Sequence, residues 1–376
     1  MRKIILLGAG LVGRAIAIDL HKQYDVTAAD IDAKALEALA DSYKIETLRV
    51  DLSDSSTVKT IVKDFDIVIG AVPGFMGYEL VKNVIAAGKN IVDISFFPED
   101  PFSLDELAKK QNVTAIIDCG LAPGMDNLIL GYHCRRMKVT SFTCLVGGLP
   151  VIREWPYEYK AVFSPQDVIE EYIRPARFVR NGKIITKEPL TDPELVYFDQ
   201  IGSLEAWNTD GLRTLIHTTD VPDMIEKTLR YPGTIEYVKA LRESGFFSTE
   251  EIEIDGHPVR PLDLTGKLLI SKWKLHPGEE DLTVMRIAIT GSHRGRKETH
   301  TYELFDRYDK ATQTLSMART TGYTCTAVAN LLLRGKINRK GICPPEYIGS
   351  DPGNFNFVLN YLRDRGVVYK ITTDNT

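Results

Sequence analysis

The first 120 residues alternate between short apolar runs and longer mixed segments. Lys3 to Leu7 (Lys-Ile-Ile-Leu-Leu) opens the series, and further apolar-rich runs follow at 25–29, 45–50, 66–71, 90–94 and 112–117. The runs predict buried strands. The segments between them predict helices: one ending near His21, then 32–42, 54–63, 77–87 and 102–110. Six strands alternating with helices give an α/β fold, a Rossmann-type doubly wound parallel sheet.

After residue 120 the pattern changes. A helix is expected from Pro123-Gly124 to about Arg136. Strand-like segments then lie at 139–146, 175–187, 194–202, 223–231, 282–291 and 297–307, and helices at 165–173, 234–244, 260–272, 320–334 and 355–365. Asn181-Gly182 between apolar-bearing flanks signals a hairpin. This is the pattern of an α+β domain with a mixed or antiparallel sheet. The expected organisation is a nucleotide-binding domain over 1–122, a substrate domain over 123–320, and helices over 321–376 packing back on the first domain. Such an arrangement places a substrate in the cleft between domains.

Composition adds boundaries. Of 376 residues, 44% are hydrophobic and 26% charged, which excludes a disordered or fibrous chain. The formal net charge is −5 and no basic face is evident, so no nucleic-acid partner is expected. No run of 18 uncharged apolar residues exists, and no membrane span is expected. Arg2, Lys3 and Ala15-Ile16-Ala17 imitate a secretory signal, but Gly8, Gly10, Gly13 and Arg14 interrupt the run, and a strand-turn-helix accounts for all of it. The five cysteines are odd in number and none is spaced C-x-x-C, which fits reduced thiols in a cytoplasmic protein. No histidine pair has a convincing metal spacing, so no metal is expected.

The chemistry begins at Gly8-Ala9-Gly10-Leu11-Val12-Gly13, which closes the first strand and opens a helix, with Asp30 ending the second strand. In that context the glycines read as a dinucleotide cradle. Gly8 permits the tight turn, Gly10 leaves room for a pyrophosphate, and Gly13 lets the helix approach the sheet. The helix start favours phosphate charge. A carboxylate at Asp30 accepts from ribose hydroxyls and repels a 2′-phosphate, so NAD is expected over NADP. At the other strand ends, Asp51 is a candidate for the adenine edge, and Ala71, Val72 and Pro73 for the nicotinamide ribose. Asp93 and Ser95 complete the candidate coenzyme residues. Ordinary strand-end turns would use the same residue types.

Gly120-Leu121-Ala122-Pro123-Gly124-Met125-Asp126-Asn127 resembles the G-L-D-P-G-I-D-H loop of saccharopine dehydrogenase-type reductases. Val92-Asp93-Ile94-Ser95, Cys144 through Pro150, and Tyr159-Lys160 through Ser164-Pro165 resemble further motifs of that family. Gly211-Leu212-Arg213-Thr214-Leu215 and Lys227 through Gly233 resemble its lysine 6-dehydrogenase branch, over roughly residues 1–345 in all. Ala122, Asn127 and Thr234 depart from the patterns.

The resemblance implies NAD-linked oxidative deamination of the side-chain amine of L-lysine. The product would be the 6-semialdehyde, which closes to a piperideine carboxylate. The amine must be neutral to expel hydride, and free lysine titrates near ~10.4, so the site needs a base or must depress that value. Arg213, with Thr214 beside it, is the candidate for the substrate carboxylate, since a guanidinium can bind it twice. Asp126 is a candidate for an amino group or for stabilising a helix start. His217 and Lys160 are candidate acid–base groups, each equally readable as a structural or solvated residue. Cys119 and Cys144 line the pocket by shape. The family also implies a homodimer. The alternative is a saccharopine or carboxyspermidine-type enzyme acting on a secondary amine, with Arg153, Arg174, Arg177 and Arg180 available for extra carboxylates. A third reading is an NAD-binding regulator without turnover. Fold alone does not choose among them.

Overall fold

The computed structural model describes residues 1–276 and 278–375. Its chain forms two units. The first holds Met1–Lys138 and Ala318–Val368, and the second holds Val139–Met317 and the strand that begins at Tyr369.

The first unit opens with β1 (Lys3–Leu7), α1 (Leu11–His21), β2 (Asp25–Asp30), α2 (Ala33–Tyr43), β3 (Glu46–Arg49) and α3 (Ser55–Ile61). It continues with β4 (Ile67–Gly70), α4 (Gly74–Ala86), β5 (Ile91–Asp93), α5 (Asp105–Lys110), β6 (Thr114–Ile116) and α6 (Met125–Cys134). Four of the five residues of β1 are buried, as a strand covered on both faces requires. Aspartates start several of this unit's helices, among them α2 and α3. Asp32 accepts from the Lys34 N–H at α2, and Asp54 accepts from the Ser56 and Thr57 N–H groups at α3. Helix α1 differs: its N-cap is Gly10, which brings no capping side chain. Leu7 lies in parallel register with Ala29 on one side and Gly70 on the other. A core of Ile5, Leu7, Val68, Val81, Ile85, Ile91 and Ala115 fixes the helices on the sheet.

The second unit contains β7 (Lys138–Pro150), α7 (Pro165–Ile173), β8 (Ala176–Arg180), β9 (Lys183–Lys187), β10 (Glu194–Phe198), β11 (Gly202–Asn208) and α8 (Leu215–Thr218). Then follow β12 (Asp223–Arg230), α9 (Thr234–Glu243), β13 (Ile252–Ile254), β14 (His257–Val259), α10 (Pro261–Trp273), β15 (Asp281–His293) and β16 (Arg296–Arg307). The remaining elements are α11 (Ser316–Leu333), β17 (Gly341–Ile342), α12 (Pro345–Gly349), α13 (Pro352–Arg363) and β18 (Tyr369–Asn375).

The nucleotide-type sheet has the order β17-β6-β5-β4-β1-β2-β3. The order reverses direction between β1 and β4, the switch point at which such sheets place ligands. The second sheet runs β10-β11-β12-β7-β15-β16-β18. It is mixed, since β12 pairs with β7 in parallel while β10–β11–β12 and β15–β16–β18 are antiparallel. The expected class therefore holds, with differences in detail. The first sheet has a seventh strand, β17, from the C-terminal part of the chain. The run expected at 194–202 is the first strand of a hairpin that returns through β11. Helix α11 starts at Ser316, ahead of the expected 320. The Asp281 carboxylate accepts from the N–H groups of Ser316 and Met317 at 2.6 and 2.9 Å, a cap supplied from 35 residues away.

Candidate functional site

In the first unit the glycine turn has the geometry its spacing requires. Gly8 has φ +105°, and a Cβ there would stand 2.3 Å from the Ala71 carbonyl oxygen. A Cβ at Gly13 would stand 2.1 Å from the Gly8 carbonyl oxygen, so α1 and the turn touch through bare backbone. At Gly10 a Cβ would meet nothing within 4 Å. The position faces open space at the start of a helix without a side-chain cap. That is the condition a pyrophosphate needs: room, unclaimed N–H donors and the positive end of a helix. Leu11 is exposed and Val12 half-buried beside it. The residues present fit an adenine dinucleotide.

Asp30 closes the same turn. Its Oδ2 accepts from the Ala9 N–H at 2.6 Å and its Oδ1 from the Asp32 N–H at 2.9 Å. Ala71 and Val72 approach Gly8 from the end of β4, and Pro73 caps α4. Gly8, Ala9, Gly13, Asp30 and Ala71 thus form one connected constellation. Asp51 is exposed, and bonds from the Ser53 hydroxyl and N–H hold its carboxyl below the usual range. Asp93 and Ser95 stand inside the unit, 0% and 3% exposed. Asp93 Oδ1 accepts from the Ser95 N–H and, in a very short bond, from its hydroxyl. Burial pushes Asp93 up to about 8. A Cβ at Gly77 would stand 2.2 Å from the Ser95 hydroxyl, so that group is enclosed.

Asp126 lies in the first turn of α6 and is fully buried. Its Oδ1 accepts from the Gly124 N–H at 2.8 Å, while Oδ2 is buried with no hydrogen-bond partner among the described residues. Burial, helped by Glu346, pushes Asp126 up to about 7. Asn127 donates to Glu346 Oε2 at 3.1 Å. Glu346 comes from α12 and nothing in its local sequence marks it. Cys119 is fully buried, and burial pushes its thiol well up, so it stays protonated.

In the second unit Arg213 is buried, with φ +49°, in the bend that precedes α8. Thr214 is buried next to it. Burial lowers the Arg174 pKa, and the Arg213 charge lowers it further, so two guanidiniums share one neighbourhood. Arg177 is gripped twice by Asp210, at 2.8 Å in each bond. Arg153 pairs with Glu158, and Arg180 lies 3.9 Å from Asp223. Lys160 lies between Glu154 (3.2 Å) and Glu279 (3.4 Å) and forms an ion pair with each. His217 is exposed and Arg213 is buried. Cys144 is buried on β7. Arg230 was not among the expected site residues. It is fully buried, with Nη2 2.7 Å from Glu171 and its guanidinium over the Tyr159 ring at 4.2 Å.

Among the described residues no group of three or more His, Cys, Asp or Glu is placed to hold a metal. No described helix is long and apolar enough to cross a membrane.

Comparison with known proteins gives two family matches. Residues 4–116 match the saccharopine dehydrogenase NADP binding domain, and residues 120–367 the saccharopine dehydrogenase C-terminal domain. A saccharopine dehydrogenase [NADP(+), L-glutamate-forming] of Saccharomyces cerevisiae is 28% identical over 69% of this chain and 61% of its own length. An alpha-aminoadipic semialdehyde synthase of Arabidopsis thaliana is 28% identical over 59% of this chain and 22% of its own length. The chain therefore spans less than two thirds of the length of each of these two curated relatives. An apo saccharopine dehydrogenase structure from Saccharomyces cerevisiae superposes with a TM-score of 0.80 at 22% identity, covering 100% of both chains, a likeness of fold. These names back the saccharopine-type alternative better than lysine 6-dehydrogenase, and they support a nicotinamide coenzyme without singling out NAD.

Proposed function

Because the chain belongs to the saccharopine dehydrogenase family, we propose that it is a nicotinamide-dependent oxidoreductase acting at the carbon–nitrogen bond of a lysine-derived secondary amine. The observation that carries this reading is the open helix start at Gly10, framed by two glycines that no other residue can replace without a clash. A bound nicotinamide coenzyme supplies the hydride acceptor.

The chain's own residues hold and orient. Gly8 to Gly13 seat the pyrophosphate, and Asp30 supports NAD through the ribose hydroxyls. Arg213 holds a substrate carboxylate through its planar guanidinium, which can bind it twice. Asp126 takes the role of proton holder. Burial raises its pKa to about 7, which lets it hold a proton near neutral pH. Lys160 is committed to two carboxylates, and His217 is exposed. The substrate is a small amino acid, not a nucleic acid.

L-Lysine itself is the second reading. Saccharopine carries more carboxylates than lysine, and Arg153, Arg177 and Arg180 already face their own acids. The test is direct. The purified protein is mixed with NAD or NADP and, separately, saccharopine, lysine and ornithine, and reduced-coenzyme absorbance is followed. Reduction with saccharopine is expected. Reduction with lysine alone moves the assignment to the second reading. No reduction by any amine, with coenzyme binding intact, overturns both.

A further inference from the structure

We propose that Arg49 is a determinant of coenzyme choice, giving the ribose end of the cradle the counter-charge to accept a coenzyme bearing a 2′-phosphate as well as one without it. The proposal rests on the coenzyme reading above and assigns a residue to it.

The argument starts from register. Asp30 and Arg49 are parallel neighbours at the ends of β2 and β3. Both carboxylate oxygens of Asp30 already accept backbone N–H groups, from Ala9 and from Asp32. Two such donors spread and partly offset the negative charge, so Asp30 repels a second anion less than a bare carboxylate would. Arg49 is held in a defined place. Its Nε donates to the Ile31 carbonyl oxygen at 3.3 Å, which fastens the guanidinium to the loop joining β2 to α2. That loop follows directly on the acid expected to face the ribose. Arg49 is exposed, and among the described residues no carboxylate forms an ion pair with it. Asp30, its strand neighbour, does not claim it either. A fixed, exposed guanidinium with two further N–H edges suits a phosphate monoester, which carries about −1.5 to −2 charge near neutral pH. Asp30 then favours the coenzyme without the phosphate while Arg49 keeps the other within reach.

The test is equilibrium binding by the full-length protein without substrate, followed by the fluorescence of NADH and NADPH. The wild-type protein is expected to bind both, NADPH within about tenfold of NADH. Arg49→Gln is expected to weaken NADPH about tenfold while NADH stays within about twofold, which also shows the variant is folded. Arg49→Lys is expected to restore much of the loss, and added salt to weaken NADPH more than NADH. Three results overturn the proposal: wild-type binding of NADH alone, equal loss of both coenzymes in Arg49→Gln, or no loss of either. Binding of neither coenzyme by the wild-type protein overturns this proposal together with the coenzyme reading beneath it.

Discussion

A methyl group added at Gly10 meets open space, but one added at Gly13 lands 2.1 Å from a carbonyl oxygen. The two glycines of one motif therefore fail differently. Gly10→Ala should melt within about 2 °C of wild type yet lose NADH binding at least about tenfold, since the methyl occupies the phosphate's place. Gly13→Ala should lose about 2 kcal/mol or more of stability in urea, because α1 must move off the turn. Equal melting of the two variants would contradict this account. At this scale the sequence was informative where function rests on short-range backbone geometry. Gly8 through Gly13 and Asp30 were legible because strand, turn and helix are local. The pairing of Asn127 with Glu346 was not, because those partners meet only after folding. His217, four residues past Arg213, lies in the helix that begins at Leu215, while Arg213 precedes that helix in a left-handed conformation.

Elements were legible wherever their ends carry their own signal. Asn181-Gly182 forms the two-residue turn between β8 and β9 with φ of 49° and 71°, as its sequence demands. Asp255-Gly256 makes the same turn between β13 and β14, with φ of 51° and 79°, and the same rule applied there would have found that hairpin. The start of α11 had no such signal, since Asp281 supplies its cap from another strand. Helix α1 is anchored in a comparable way on its inner side. Asp19, 1% exposed, accepts from the hydroxyls of Thr326 and Tyr361 at 2.8 and 2.7 Å and from Arg365 Nε at 2.9 Å. Asp19→Ala leaves those donors buried and the Arg365 charge without its partner. It should cost about 3–5 kcal/mol in urea denaturation, beyond what a surface carboxylate costs. A loss below about 1 kcal/mol would show that α1 is held by apolar packing alone.

At the scale of the molecule, buried carboxyls set the pH response. Burial raises Asp93 to about 8, Asp126 to about 7 and Asp281 to about 6. Each therefore binds its proton more tightly folded than unfolded. Their contribution is fully present at low pH and falls as pH rises through the folded values, so this part of the stability declines between about pH 4 and 8. Asp93→Asn, which keeps an acceptor for the Ser95 N–H, should melt about 5 °C above wild type at pH 8.5, with a smaller difference at pH 5. Equal shifts at both pH values would mean that Asp93 stays ionised in the folded protein. The two layer types were legible as a whole, because a parallel sheet and a mixed sheet write different periods into the chain. The seventh strand was not. Gly341–Ile342 is two residues long and joins β6 through Thr114 and Ala115, more than two hundred positions upstream. That strand has a consequence during synthesis. A ribosome adding about 5–20 residues per second finishes β6 some tens of seconds before it reaches β17. For that interval the outer border of the nascent sheet is uncapped, and a chain stalled anywhere in the middle would leave it exposed to chaperones or to other unfinished copies.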